Sequence, residues 1–392
     1  FQAEDGIRDR SPSRGLGDVY KRQAFEYSRE RDMFESMDNP THFLEKLLDA
    51  PGPSGFERRA AEVWRKEAET FADSVGTDVA GNTSAKINPD GSPCVMMAGH
   101  IDEIGFQVTH MDKQGFLYFA GVGGWDPQVV VGQRVRILTS QGDLIGVVGK
   151  KAIHLQKPEQ RKKVSQLSDL WIDIGVTSRE EAQDSGVRVG DPMVVDCSMV
   201  RMKGDRISSR AIDDRVGAYV VLEALRLIGE ATTDSCAVAV ATVQEEIGGG
   251  SGGGARTSSF ALRPDVALVV DVTFSTDVPD ISKKELGDHS LGGGPVLSRG
   301  SAVHPVVFER LAAAADSEDI PYTIQAAPRA TRTDADSIYM NRAGVPTGLI
   351  SIPNRYMHSP NEMISLADLT NAARLIAAFV LGLGKDTDFT PL

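Results

Sequence analysis

Four short, predominantly apolar runs, each ending close to an acidic residue or a histidine, constrain this 392-residue chain more than any other feature. They are Cys94–Ala98, Ala237–Val243, Val266–Val270 and Gly348–Ile352. A strand wetted on one face alternates polar with apolar residues, whereas a strand buried on both faces does not. These runs therefore predict buried strands. Between and around them lie helical patterns. Arg215–Ile228 places Ala218, Val221, Leu222 and Leu225 on one face. Further helices are expected near Phe43–Leu48, opened by Asn39-Pro40-Thr41, and over Phe56–Phe71, Pro305–Ala315 and Leu366–Leu381. Strands alternating with helices predict an α/β fold.

From about Gln107 to Cys197 the texture changes. Val129–Val131, Val135–Leu138, Leu144–Val148, Leu170–Ile174 and Met193–Val195 are short β-type stretches punctuated by Gly and Pro. They predict a small β-rich module with a basic loop, Lys157 to Lys163. The simplest organisation is one α/β domain built from 24–106 and 198–385, with an insertion at 107–197. Residues 1–23 show no periodicity and lack the apolar core of a signal peptide. Their strings FQAEDGIRD and SRGLGDVYKRQ resemble in-frame translations of sequencing adapters. An artefactual or disordered tail is expected there, without fold or function.

Composition removes whole classes of function. A net charge of −13 argues against a nucleic-acid surface, which needs clustered Lys and Arg. No run approaches the roughly 20 apolar residues needed to span a bilayer. Cys94, Cys197 and Cys236 are too few and too scattered for a disulfide framework or a thiolate zinc site, which favours a reducing, cytoplasmic setting.

Five motifs carry chemistry. His100-Ile101-Asp102, Glu245-Glu246 and Asp271 follow predicted strands directly, His358 lies shortly after a fourth, and Asp213-Asp214-Arg215 precedes a helix. In open α/β sheets, ligands bind beyond the carboxyl ends of the strands. Taken singly, each motif has a structural reading: a hydrogen-bonded histidine, acids complementing a helix dipole, or solvated surface glutamates. Together, two imidazoles and several carboxylates without a thiolate are what a pair of zinc, cobalt or manganese ions prefers. Gly248–Gly253 formally satisfies G-x-G-x-x-G. It follows two glutamates that would repel a pyrophosphate, and only the short Ala255–Leu262 segment comes next, so a dinucleotide site is not supported. No G-x-S-x-G elbow is present for a serine nucleophile.

Ala98–Phe106 (AGHIDEIGF) resembles the first metal motif of the glutamyl/tetrahedral (TET-like) aminopeptidase family, sometimes labelled cellulase M. The resemblance extends to Ala211–Arg215, Val243–Glu246, Arg355–Ser359 and, in the insertion, to Gly123–Pro127 and Trp171–Gly175. It implies a mixed-sheet, di-zinc exopeptidase-like catalytic domain with an inserted small β-barrel or PDZ-like dimerisation domain. It also implies that Asp213 bridges two divalent metals, zinc, cobalt or manganese. His100 and Asp271 would complete one ion, and Glu246 and His358 the other. Glu245 would be the general base, Asp102 would orient the His100 ring, and the Asp213–Asp214 peptide would be cis. Peptides are the implied substrates, and self-association into dimers and a tetrahedral dodecamer is the implied assembly.

Two departures stand out. The turn after Glu246 is longer and richer in glycine than the family's, and it lacks an arginine. Thr331-Arg332-Thr333-Asp334-Ala335 places Arg332 where relatives have glycine. That arginine either favours acidic side chains or a peptide carboxylate, or is a solvated loop residue. The rivals are a related di-metal deacylase or carboxypeptidase, an endoglucanase, which needs two carboxylates and no histidine cluster, and a non-catalytic metal-stabilised scaffold.

Overall fold

The four apolar runs become the centre of one eight-stranded sheet. Its order is β1 (Ser74–Thr77), β2 (Thr83–Ile87), β12 (Cys236–Thr242), β3 (Cys94–His100), β13 (Val266–Phe274), β16 (Thr347–Asn354), β14 (Val296–Gly300) and β15 (Thr323–Ala327). The central four are mutually parallel. The sheet is mixed because β2 and β14 pair antiparallel to this block. Every residue of β12, and all of β3 after Cys94, is buried, which explains the missing alternation. The computed structural model describes residues 40–248 and 253–391, so the stretch 1–23 and part of the glycine-rich turn lie outside the described residues.

Helix Leu366–Leu381 packs against both Ile212–Gly229 and Pro305–Ser317 on the sheet, and the shorter Gly253–Leu262 and Asp334–Tyr339 form a second pair. The long helix lies unusually close to β3. A Cβ on Gly99 would stand 2.3 Å from the Gly217 backbone, so glycine is required there. Arg215, fully buried at the helix start, donates to the carbonyls of Ile101 (3.1 Å), Leu47 (3.0 Å) and Leu48 (3.2 Å) and to Glu103 (2.8 Å). A buried cation satisfied in this way locks β3, the loop after it and the helix together.

The insertion is a closed barrel with strand order β4 (Gly105–Met111), β5 (Leu117–Val122), β8 (Trp171–Asp173), β7 (Gly142–Gly149), β6 (Arg134–Thr139) and β9 (Pro192–Val195). Phe106, Leu117, Ile137, Ile172 and Met193 fill its core. One expectation fails here. Val129–Val131 is not a strand, because Pro127–Val130 forms a helical turn. Asp126 caps that turn by accepting the Gln128 N–H, and Pro127 occupies its first position, chemistry that outweighs the β-branched run. A third sheet, β10 (Val200–Arg201), β11 (Arg206–Ser209) and β17 (Glu362–Ser365), was not anticipated. It brings Glu362 beside the segment leading to Asp213. Among the described residues, no helix is long and apolar enough to cross a membrane.

Candidate active site

Parallel strands deliver their next residues to one edge of the sheet, and here that edge collects the motifs. β3 ends in His100, β12 runs into Glu245 and Glu246, Asp271 lies in the second half of β13, and β16 leads towards His358. Asp213 reaches the same place from the start of the long helix, where it and Asp214 have non-helical backbone angles and their peptide bond is cis.

The two Asp213 oxygens face two imidazoles. Oδ1 lies 3.1 Å from His100 Nε2, and Oδ2 lies 3.2 Å from His358 Nε2. His358 Nε2 is also 3.4 Å from Glu246 Oε1. Potential ligand atoms of His100, Asp213 and Asp271 lie within 4.8 Å of one another, as do those of Asp213, Glu246 and His358. The two groups share Asp213. Glu245 Oε2 stands 4.0 Å from His100 Nε2, at the edge of the first group.

The supporting hydrogen bonds show why these side chains hold still. The His100 ring presents Nδ1 to the Asp102 carbonyl at 3.1 Å and to its carboxylate at 3.4 Å. The fully buried Asp102 carboxylate also accepts the N–H groups of Glu245 (3.2 Å) and Glu246 (3.1 Å) and the Ser54 hydroxyl. Asp102 thus fixes the turn carrying both glutamates as well as the ring. Asp214 accepts the His100 N–H at 3.1 Å. Glu362, 2% exposed, accepts the Asp213 N–H at 3.1 Å and the His358 N–H at 3.0 Å.

All seven sequence-predicted residues therefore meet in one place. Three supporting acids had been assigned no role: Asp214, Glu362, and Asp334, which accepts the Thr242 hydroxyl. Only the position of Glu362, four residues after His358, could have hinted at its role. Arg332 is exposed, and its amide donates to Asp336 at 2.8 Å.

The electrostatics explain what such a cluster can hold. Among the described residues, no Lys or Arg forms an ion pair with Asp213, Asp271, Glu245 or Glu246. Burial, followed by the neighbouring Asp213, pushes the Asp271 carboxyl well above its ordinary range. Burial together with Asp271, Asp334 and Glu246 lifts Glu245 to about 9. Asp213 is burdened by burial, yet hydrogen bonds from His100 and His358 hold it below the usual carboxylate range. Asp213 and Glu246 raise His358 to about 11. Glu246 Oε1 is buried and makes no hydrogen bond. Buried carboxylates that outnumber the imidazoles beside them are costly, and oxygen and imidazole donors without thiolates suit zinc, cobalt or manganese. The residues present fit such cations.

Comparison with known proteins agrees with this geometry. The sequence profile of the M42 glutamyl aminopeptidase family matches residues 81–375. A lysyl aminopeptidase from Pyrococcus furiosus is 36% identical over 351 residues, covering 89% of this chain and 98% of that protein. A TET aminopeptidase from a marine sediment archaeon of the Thaumarchaeota superposes with a TM-score of 0.84 at 37% identity, over 89% of this chain and 97% of its own. The TET1 peptidase of Pyrococcus horikoshii, described as able to assemble into a tetrahedron or a large octahedral shell, has a TM-score of 0.77 at 29% identity, over 88% and 100%. The profile match spans every acid and histidine gathered at the sheet edge, and the chain belongs to the M42 glutamyl aminopeptidase family.

Proposed function

We propose that this chain removes the N-terminal residue from peptides with two divalent cations held by these side chains. The observation that carries the reading is the placement of the Asp213 oxygens, 3.1 and 3.2 Å from two different imidazoles. His100 and Asp271 would complete one cation's ligands, Glu246 and His358 the other's, and Asp213 would serve both. When bound, the cations supply Lewis acidity towards the scissile carbonyl and bring the pKa of a water towards neutrality.

The remaining roles fall to the chain itself. Glu245 takes the proton of the attacking water and passes it to the departing amine. Positive charge among the acids lowers its carboxyl from about 9 towards the range a base needs. Asp102 keeps His100 and the Glu245–Glu246 turn in register. A free peptide amine would approach a site rich in carboxylates, which favours the aminopeptidase over the deacylase and carboxypeptidase rivals.

We also read 107–197 as a self-association domain inserted between 24–106 and 198–385. The tetrahedron described for the P. horikoshii relative supports self-association, for which we propose dimers and a dodecamer. Light scattering on the purified full chain tests this, since a monomer at micromolar concentration would contradict it. The three free cysteines support a cytoplasmic location.

The activity test uses leucyl- and glutamyl-p-nitroanilide beside N-acetyl-leucine and cellulose. Turnover of the anilides alone is expected. Hydrolysis of the acetylated amino acid alone would favour the deacylase, and chelator-insensitive cellulose hydrolysis would favour the endoglucanase.

A further inference from the structure

A strongly basic exposed segment of the barrel plays no part in the chemistry above. Residues 150–163 hold Lys150, Lys151, Lys157, Arg161, Lys162 and Lys163 against one acid, Glu159, in a chain whose net charge is −13. All of these cations except Lys150 are exposed. None of the six forms an ion pair with an acid among the described residues. Apolar side chains within and just beyond the segment are exposed too: Ile153 at 59%, Leu155 at 71% and Val164 at 55%. Uncompensated cations on an acidic protein are a ready surface for an anionic partner.

The feet of this arm fix where it stands. It leaves β7 at Gly149 and returns to β8 at Trp171, and those two residues are directly paired. Just before Trp171, the turn Leu167–Asp169 lies on β5, where a Cβ on Gly121 would be 3.4 Å from Leu167 Cδ1. Two residues further on, a Cβ on Gly123 would be 3.5 Å from the Glu246 Cβ, and one on Gly124 would be 3.5 Å from His358 Nδ1. Two residues of chain separate Gly121 from Gly123, a span of at most about 7 Å. The arm is therefore rooted at the barrel end that closes on the candidate metal ligands. The centre itself is lined by acids, and every peptide with an unblocked C-terminus carries a carboxylate downstream of its first bond.

We propose that the basic arm 150–163 captures carboxylates of the peptide downstream of the scissile bond, so that anionic peptides are the preferred substrate class of this site. The inference rests on the aminopeptidase reading above. The lysines act as mobile point charges that raise the capture rate and hold the leaving portion while Glu245 acts on the first peptide bond. A second copy of this acidic chain is the alternative occupant, but the arm's roots at the barrel end that carries Gly123 and Gly124 against Glu246 and His358 favour substrate.

The test compares the full chain with a variant combining K157S, R161S, K162S and K163S. The substrates are Leu-Ala-Ala-Asp-Asp, Leu-Ala-Ala-Ala with a free carboxylate, and the amide of the latter. Leucyl-p-nitroanilide, which has no downstream chain, is the reference. In the parent at low salt, kcat/KM for the acidic peptide relative to the amide should be at least about tenfold higher. That ratio should fall towards one in the variant and, for the parent, in 0.5 M NaCl. A gain already present with the free C-terminal carboxylate assigns that group, whereas a gain only with the aspartates assigns side chains. Anilide turnover with a ratio unchanged in the variant would overturn the inference and leave the proposed function standing. So would a variant altered only in its mass by light scattering, which would give the arm to self-assembly. A metal-loaded chain that turns over neither anilide nor peptide would overturn both.

Discussion

The sheet edge and the barrel arm of this protein treat charge in opposite ways. At the sheet edge, His100, Asp102, Asp213 and Asp271 are buried, and their arrangement is fixed by backbone N–H groups and by one another. On the arm, five exposed cations and the half-buried Lys150 have no acidic partners among the described residues. Buried charge is costly unless a partner is provided, so it implies a resident counter-ion. Exposed charge costs almost nothing, so it implies only the sign of what is met in solution. The first suits a fixed centre and the second suits capture.

Several changes would break or sharpen that contrast. The largest effect is expected for Glu245→Gln, which should lower kcat by about 10²–10⁴-fold in an anilide assay while leaving metal content and oligomer mass unchanged. A normal kcat would remove Glu245 as the base. Next, Glu362→Ala should weaken metal retention against a competing chelator by about 10–100-fold, because it releases the backbones of Asp213 and His358. Glu362→Gln, which keeps one acceptor oxygen, should fall between Ala and the parent. Equal retention in all three would reduce Glu362 to a bystander.

A pH effect should follow from Asp277. Although partial burial pushes the other way, Arg355 and Ser275 hold its carboxyl down to about 2 from an ordinary 3.8. The folded state therefore gains from ionised Asp277 above about pH 4 and loses that gain as pH falls towards 2. Asp277→Asn should remove on the order of 2 kcal/mol of acid-dependent stability in all, about half of which is read as the difference between denaturant melts at pH 7 and pH 3. Because Arg355 opens the segment leading to His358, an identical acid profile in the variant would also question how that segment is held. The smallest effect belongs to the barrel. Asp126→Ala removes a cap and should cost about 1 kcal/mol by the same melts.

The sequence made the sheet edge unusually legible. Cys94–Ala98 and Ala237–Val243 could hardly be wet strands, and acids or histidines directly after such runs are expensive unless something neutralises them. His100, Glu245, Glu246 and Asp271 announce themselves for that reason, and the family resemblance supplied the roles expected of these four and of Asp213, Asp102 and His358. The supporting roles of Asp214, Glu362 and Asp334 were invisible, although Asp214 and Asp334 lie in motifs already singled out, because their work is to accept hydrogen bonds from residues distant in the chain. Glu362 reaches Asp213 only through the β11–β17 pairing, which no local pattern encodes. In the barrel, Val129–Val131 misled because strand propensity is weak beside an Asp-Pro helix start. The strands Gly105–Met111 and Leu117–Val122 were not singled out at all, and the first begins inside the AGHIDEIGF motif.

The most direct measurement is a metal titration of chelator-stripped full-length chain, followed by native mass spectrometry and leucyl-p-nitroanilide turnover in the same samples. Two zinc, cobalt or manganese ions per chain are expected. Activity should be absent in the stripped protein and should reach its plateau only as the second ion is filled. Full turnover with no ion bound, or saturation at a single ion, would contradict a centre built around a shared Asp213.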